Sequence, residues 1–330
     1  MVRILFIGGT GIISSACARQ LAASGASLTF LCRGKTDRAI PAGVELLRAD
    51  VRDAGSVRSA IEGRTFDAVV DFIAFTPAHI EQDIALFSGR TAQYVFISSA
   101  SAYQTPPAAL PITESTPLQN PHWRYSRDKI ACEDLLTRSY REQGFPMTIV
   151  RPSHTYDCRT WPFHGGYSVL ERMRRGKPVI VHGDGTSLWV LTHHEDFARG
   201  FNGLLGNPRA IGEGFHITSN EVLTWNQIHE LVADAAGVKA ELVHLPSELI
   251  ARFDPEWGAG LLGDKAHSTI FDNTKIKRAV PTFRADIPFR RGARELVAWH
   301  DADPARCSVD AEFDEACDKL LAVWQRATRF

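Results

Sequence analysis

Tyr125 and Lys129 frame the segment Tyr-Ser-Arg-Asp-Lys. In a helix a spacing of four places both on one face, one turn apart. A phenol titrates near 10 in water, about three units too high for a base at neutral pH, and an adjacent ammonium lowers it. Lys129 could also hold a ribose. Upstream, the apolar run Val95-Phe96-Ile97 ends in Ser98-Ser99, followed by Ala100 and Ser101. A serine there can donate to a developing alkoxide or a carbonyl oxygen. Together these residues suit proton exchange at a secondary alcohol or ketone, with a hydride carrier alongside.

The carrier has a site of its own in the sequence. Ile7-Gly8-Gly9-Thr10-Gly11-Ile12-Ile13-Ser14 lies between an apolar run and a helical pattern. Gly8 permits a tight turn, Gly11 lets the backbone approach a pyrophosphate at a helix N-terminus, and Ser14 is small enough for close packing. The spacing predicts a dinucleotide along the 8–13 loop. The next strand ends Leu31-Cys32-Arg33-Gly34, with no acid where NAD-binding chains usually carry one. Arg33 there either pairs with a 2′-phosphate, which favours NADP over NAD, or simply begins a solvated loop. Asp50 either accepts from the adenine amine or closes an Asx turn.

These residues need a scaffold, and the pattern supplies one. Short apolar runs at 2–7, 27–32, 44–48, 67–73, 93–98 and 147–151 alternate with helical patterns at 12–24, 56–62, 77–87 and 123–143. Such alternation with glycine stops predicts an α/β fold, a Rossmann-type doubly wound parallel sheet. Five prolines between 104 and 122 predict a loop over a cleft. Further helices are expected near 166–175, 194–205, from Thr224, and at 290–301 and 310–327, with a strand at 178–182. Residues 1–155 read as the dinucleotide-binding domain. Residues 156–330 read as a smaller mixed α/β, mainly substrate-binding portion, with about 186–215 returning to the sheet.

The formal net charge of -1 offers no global field for nucleic acid or an anionic membrane. No apolar run approaches bilayer length. Six scattered cysteines without a CxxC pair suit a reduced, cytoplasmic protein. A homodimer is open.

With these motifs in place, the chain resembles the extended short-chain dehydrogenase/reductases, the NAD-dependent epimerase/dehydratase family. The likeness runs through Gly8–Ser14, Asp50–Asp53, Ser98–Tyr103, Tyr125–Lys129, Arg151-Pro152, Gly183-Asp184-Gly185 and His193–Ala198. It implies a catalytic Ser99, Tyr125 and Lys129, with Ser98 as the alternative serine. It implies dinucleotide contacts from Gly8, Thr10, Gly11, Ile12, Ile13, Asp50, Val51, Phe72, Ile73, Ala74, Ser98 and Pro152, besides Arg33, Tyr125 and Lys129. Ser99, Ser101, Tyr125, His154 and Arg290 would meet the substrate.

Three departures matter. Ala100 and Ser101 stand where family dehydratases carry an Asp-Glu pair, so no acid is ready for β-elimination. His154 replaces an Asn near the substrate. Cys32-Arg33 replaces the NAD-type acid. The expectation is an NAD(P)-dependent epimerase or oxidoreductase acting on a sugar, nucleotide-activated by the family's habit, or a ketoreductase of a non-sugar metabolite. The contrasting class is a degenerate dinucleotide-binding regulator or RNA binder, which would need no Tyr125. His193-His194-Glu195-Asp196 reads as a strand-to-helix junction rather than a metal cluster, since adjacent side chains diverge and no metal is expected.

Overall fold

The computed structural model describes residues 2–35 and 37–328. Its first half runs β1 (Arg3–Ile7), α1 (Ile12–Ala23), β2 (Ser27–Cys32), β3 (Glu45–Arg48), α2 (Ala54–Ala60), β4 (Ala68–Asp71), α3 (Pro77–Phe87), β5 (Tyr94–Ile97), α4 (Arg124–Gln143) and β6 (Met147–Pro152). Then follow β7 (His154–Tyr156), α5 (Tyr167–Arg174), β8 (Val179–His182), β9 (Leu188–Trp189), β10 (Leu191–His193), α6 (His194–Asn202) and β11 (Gly214–Ile217). The chain continues with β12 (Leu223–Thr224), α7 (Trp225–Ala235), β13 (Leu242–Leu245), α8 (Ser247–Phe253) and α9 (Pro255–Gly260). A π-helical turn, Leu261–Lys265, precedes α10 (Thr274–Ala279), α11 (Phe289–Asp301) and α12 (Ala311–Ala327).

Seven parallel strands form one sheet in the order β11-β6-β5-β4-β1-β2-β3. Six of them repeat the doubly wound order, with the direction reversing between β1 and β4, where such sheets bind ligands. Strands covered on both faces need continuous apolar sequence, and β4 and β5 are buried along their full length. Ala16, Cys17 and Leu21 of α1 cover one face together with Phe197 and Phe201 of α6. Val57, Ile80, Leu86 and Leu136 from α2, α3 and α4 cover the other.

β11 docks beside β6 and α6 lies along α1, so part of the second half completes the first-half sheet. Ile276, Val280 and Phe283 join the same core. Other second-half elements gather around a separate core of Trp161, Leu170, Trp225, Ile228, Phe289 and Leu296, and a smaller cluster of Leu245, Ile250, Leu261, Leu320 and Leu321 joins β13, α8, the π-turn and α12. Arg172 on α5 reaches Asp314 and Asp318 of α12 and ties that last helix down.

Several boundaries differ from the sequence reading. α2 starts two residues early because Asp53 caps it, accepting from Gly55 and Ser56 N–H at 3.0 and 3.2 Å. The capping box at α7 forms: Gln227 N–H donates to Thr224 Oγ1 at 3.1 Å and Thr224 N–H to Gln227 Oε1 at 2.9 Å. The 242–265 region holds a strand, two short helices and the π-turn that periodicity missed, since glycines at 258, 260 and 263 blur the pattern. All six cysteines carry free thiols. Among the described residues no helix is long and apolar enough to cross a membrane.

Candidate active site

Gly8 leaves β1 at φ 81°, and a Cβ there would sit 2.7 Å from the Ile73 side chain. Both the dihedral and the space require glycine. Ser14 closes the turn: its hydroxyl donates to Gly8 O at 2.8 Å and accepts Gly11 N–H at 2.7 Å. The first turn of α1 carries no acid. A groove of about 870 Å³ runs from this turn, lined by Gly8, Thr10, Gly11, Arg33, Asp50 and Val51 among others. A helix N-terminus under a glycine turn fits a pyrophosphate, and the long groove fits the rest of a dinucleotide.

The other implied cofactor residues divide. Ile73 lines the groove. Ile12 and Ile13 do not: the Ile12 carbonyl pairs with His194 Nδ1 at 3.2 Å, and Ile13 packs on the core. Phe72 also turns to the core, edge-on to Phe6 at 5.0 Å. Alternation along an extended segment sends neighbours to opposite sides, which explains why Phe72 and Ile73 part. Asp50 lines the groove while its carboxylate accepts Arg52 N–H at 3.0 Å, so the Asx turn is real. Arg33 is exposed on the groove wall with Lys35 and Arg52. Asp37 on the same wall pairs with Arg159 at 2.9 Å.

Tyr125 and Lys129 share a face of α4. The Lys129 ammonium is buried and donates to the Ala74 and Ile97 carbonyls, each at 2.7 Å. It lies 4.8 Å from the Phe75 ring centre and 5.7 Å from that of Tyr125. Phe75 borders the dinucleotide groove and Tyr125 borders a second cavity, so Lys129 sits between the two. Burial lowers Lys129 to about 8, with Asp71 opposing the shift. The sequence reading had the ammonium pulling the Tyr125 phenol down. Instead burial pushes Tyr125 up, and a hydrogen bond with Ser99 only partly offsets it. The reason is that the ammonium is directed at two backbone carbonyls.

The adjacent serines also part. Ser99 borders the second cavity with Ser101, their hydroxyls 2.9 Å apart, and Ser126 donates to Ser101 at 2.8 Å. Ser98 turns inward and donates to the Glu133 carboxylate. That carboxylate also receives Arg151 Nε at 2.9 Å, and Arg151 Nη1 donates to the Tyr103 hydroxyl at 3.1 Å. Ser98 therefore belongs to a buried network beneath the strand ends rather than to the cofactor groove.

The second cavity, about 520 Å³, is walled by Trp123, Trp161, Trp189, Trp225, Trp257 and Phe163. Ser99, Ser101, Tyr125, Pro152 and His154 also line it. His154 Nδ1 accepts from Trp189 Nε1 at 3.1 Å, and burial lowers the imidazole to about 3. It is neutral at physiological pH. Arg290 lies elsewhere, exposed on the first turn of α11 and bordering neither cavity.

Sequence reasoning missed Asp264 and Lys265. The π-turn brings both into this cavity, their charges 3.5 Å apart. The Asp264 carboxylate acts on Tyr125, adding to the rise of the phenol. An acid thus does reach the cavity that Tyr125 lines, from a segment 139 residues downstream of Tyr125 rather than from the strand end. No local signal marks it beyond an Asp-Lys pair among glycines.

A parallel sheet with a glycine turn at its switch point, and Tyr125 and Lys129 beside a serine, defines a dinucleotide-dependent enzyme of the extended short-chain dehydrogenase/reductase type. The model of the NAD dependent epimerase/dehydratase family matches residues 4–218, and the chain belongs to that family. The 2′-dehydrokanamycin reductase of Streptomyces kanamyceticus is 25% identical over 332 aligned positions, covering 98% of this chain and 92% of that one. The chloroplast stem-loop binding protein of 41 kDa b from Arabidopsis thaliana is 27% identical over 262, covering 73% and 65%. The dTDP-glucose 4,6-dehydratase of Bacillus anthracis, solved in complex with NAD, matches in fold with a TM-score of 0.74 at 17% identity, covering 92% and 98%.

Proposed function

We propose that this enzyme reduces a ketone on a sugar-like ring to the secondary alcohol, with Tyr125 as proton donor and NADP(H) preferred over NAD(H). The observation that carries the reading is the seat of Lys129 between the dinucleotide groove and the cavity holding Tyr125 and Ser99. The dinucleotide, when bound, supplies the hydride. Gly8, Thr10 and Gly11 would hold its phosphates and Ile73 its inner flank. Arg33 and Lys35 would meet a 2′-phosphate, a charge-assisted contact that NAD cannot make.

Ser99 would donate to the ketone oxygen and orient it. Tyr125 would give its proton to the same oxygen as negative charge develops there. Burial pushes the phenol up, which holds it in the protonated form that a reduction starts from while making it a weaker acid, and the Ser99 hydrogen bond works against that rise. The near-full-length relative whose name describes a reductase supports the same direction.

An epimerase would return its hydride to the other face and leave the cofactor unconsumed. Stoichiometric NADPH oxidation with keto-sugar substrates therefore tests the reading. Turnover of a sugar without net cofactor oxidation would favour epimerisation. A relative named for stem-loop binding keeps the binder class in view, and RNA binding that survives in Tyr125→Phe with no turnover in wild type would favour it.

A further inference from the structure

The C-terminal end of β4 carries a pair of buried acids that the proposed chemistry does not use. Asp71, the last residue of β4, and Asp83 on α3 are each 1% exposed. One oxygen of the Asp71 carboxylate accepts the N–H groups of Ile73 and Ala74, the latter at 2.8 Å, and so folds residues 71–74 into a turn. The carbonyl that ends this turn, Ala74 O, is one of the two that receive the Lys129 ammonium, at 2.7 Å. The other Asp71 oxygen is buried with no N–H against it. It meets the Asp83 carboxyl, which also accepts the Tyr94 hydroxyl.

Two buried carboxylates at one place do not both stay charged, and when ionised they offer each other only acceptors. A single proton between them turns the contact into a charge-assisted hydrogen bond. The surroundings of the two acids differ. Asp71 accepts two backbone N–H groups, which favour its ionised form. Burial first, and then the charge of Asp71, push Asp83 well up, and Arg52 works against that rise. Burial also pushes the Tyr94 phenol well up, so it stays a donor to Asp83.

Lys129 is buried too, and burial alone favours the neutral amine. Asp71, Cys132 and Glu133 act to hold its charge, Asp71 the most. Burial pushes the Cys132 thiol up to about 12, so it is neutral. Glu133 is matched by Arg151, whose Nε donates to it at 2.9 Å. On α3, burial with the charges of Arg52 and Lys129 lowers His79, which adds no cation at neutral pH. The other neighbours of the ammonium are the rings of Phe75, Phe96 and Tyr125, with centres at 4.8, 4.7 and 5.7 Å.

We propose that Asp71 is a positioning residue for Lys129: its carboxylate shapes the carbonyl that receives the ammonium and supplies the negative charge that keeps it charged, while Asp83 holds the proton of the pair and donates to Asp71. This deepens the reductase reading, in which Lys129 works as a cation between the two cavities, and rests on it.

The two aspartates should respond in opposite ways, and the first readout needs no substrate. The NMR signal of Lys129 Cε, assigned by its loss in Lys129→Arg, reports the titration directly, at about 8 in wild type. Asp71→Asn keeps an oxygen for the Ile73 and Ala74 N–H groups but removes the charge. It should lower the Lys129 value by about one pH unit or more, the scale of losing a nearby opposite charge. Asp83→Asn, whose amide can donate to Asp71 as the protonated acid does, should leave it in place. In kinetics, Asp71→Asn should show a deficit in kcat that approaches about tenfold at high pH, the population change for one pH unit, and closes as pH falls. A merely structural defect would not be repaired by protons. An unmoved Lys129 value in Asp71→Asn overturns the proposal, as does an equal fall in Asp83→Asn, which would put the charge on Asp83. Should Asp71→Asn not fold, infrared difference spectra of wild type and Asp83→Asn decide. At neutral pH a protonated-carboxyl C=O stretch should be lost in the variant, and no loss overturns the proposal. The expected titrations without turnover of any keto-sugar would strike the reductase reading alone.

Discussion

The two cavities on either side of Lys129 are made by opposite means. The dinucleotide groove is drawn from one stretch of the chain, at the ends of β1, β2, β3 and β4 within residues 8–75. Its key positions are small or glycine, and their roles follow from dihedral and contact: φ 81° at Gly8, and 2.7 Å to Ile73 for any added Cβ. The cavity that holds Tyr125 is built from side chains spread from Ser99 to Cys317, many of them large and aromatic. A site drawn from neighbouring strand ends is set by local geometry. A site drawn from distant side chains sets specificity, because its wall lies outside the sheet.

The largest effect should fall where the two cavities meet. Tyr125→Phe should lower kcat by about 10²–10⁴, the usual range for a general acid, with cofactor affinity nearly unchanged. Wild-type turnover in purified Tyr125→Phe would place the acid elsewhere. Lys129→Ala should damage both cavities at once, lowering kcat and weakening cofactor binding, which calorimetry and steady-state kinetics can measure side by side. Its pH dependence has a defined sign. The ammonium is present below its folded value and lost above it, so kcat should fall as pH rises through about 8. A profile flat to pH 10 would show that the charge is not used.

A smaller effect is expected on the groove alone. Arg33→Ala should reduce the ratio of NADP to NAD affinity by about tenfold, as loss of one charge-assisted contact implies. Tighter NAD binding in wild type, unmoved by the substitution, would remove the NADP preference and leave the fold untouched. The smallest change concerns the substrate cavity. His154→Ala should raise KM by about tenfold or less while the melting temperature moves little. A falling melting temperature with unchanged KM would make His154 a packing residue that merely receives the Trp189 indole.

Much of the groove was legible in order along the chain. Gly8, Gly11 and Ser14 act through local geometry, and the strand-helix alternation fixed the parallel sheet that positions them. The Tyr125–Lys129 spacing likewise survives folding, because one helix turn is a local property. Orientation at strand ends was less readable. Ser98 and Ser99 look equivalent in sequence, yet one faces Glu133 and the other the cavity. Phe72 and Ile73 part in the same way, and the direction depends on which layer each segment meets.

Electrostatics and long-range assembly were decided only in three dimensions. The sequence placed an ammonium near a phenol and implied a lowered phenol. The folded chain aims that ammonium at the Ala74 and Ile97 carbonyls, and burial wins. Asp264 reaches the cavity through a π-turn after two short helices, with no periodic pattern to announce it. Sequence alone determined what is carried by contiguous backbone: the sheet, the glycine turn and the spacing of Tyr125 and Lys129. Tertiary structure decided what depends on desolvation and on contacts between distant segments, because neither burial nor a partner 139 residues away is encoded in local spacing.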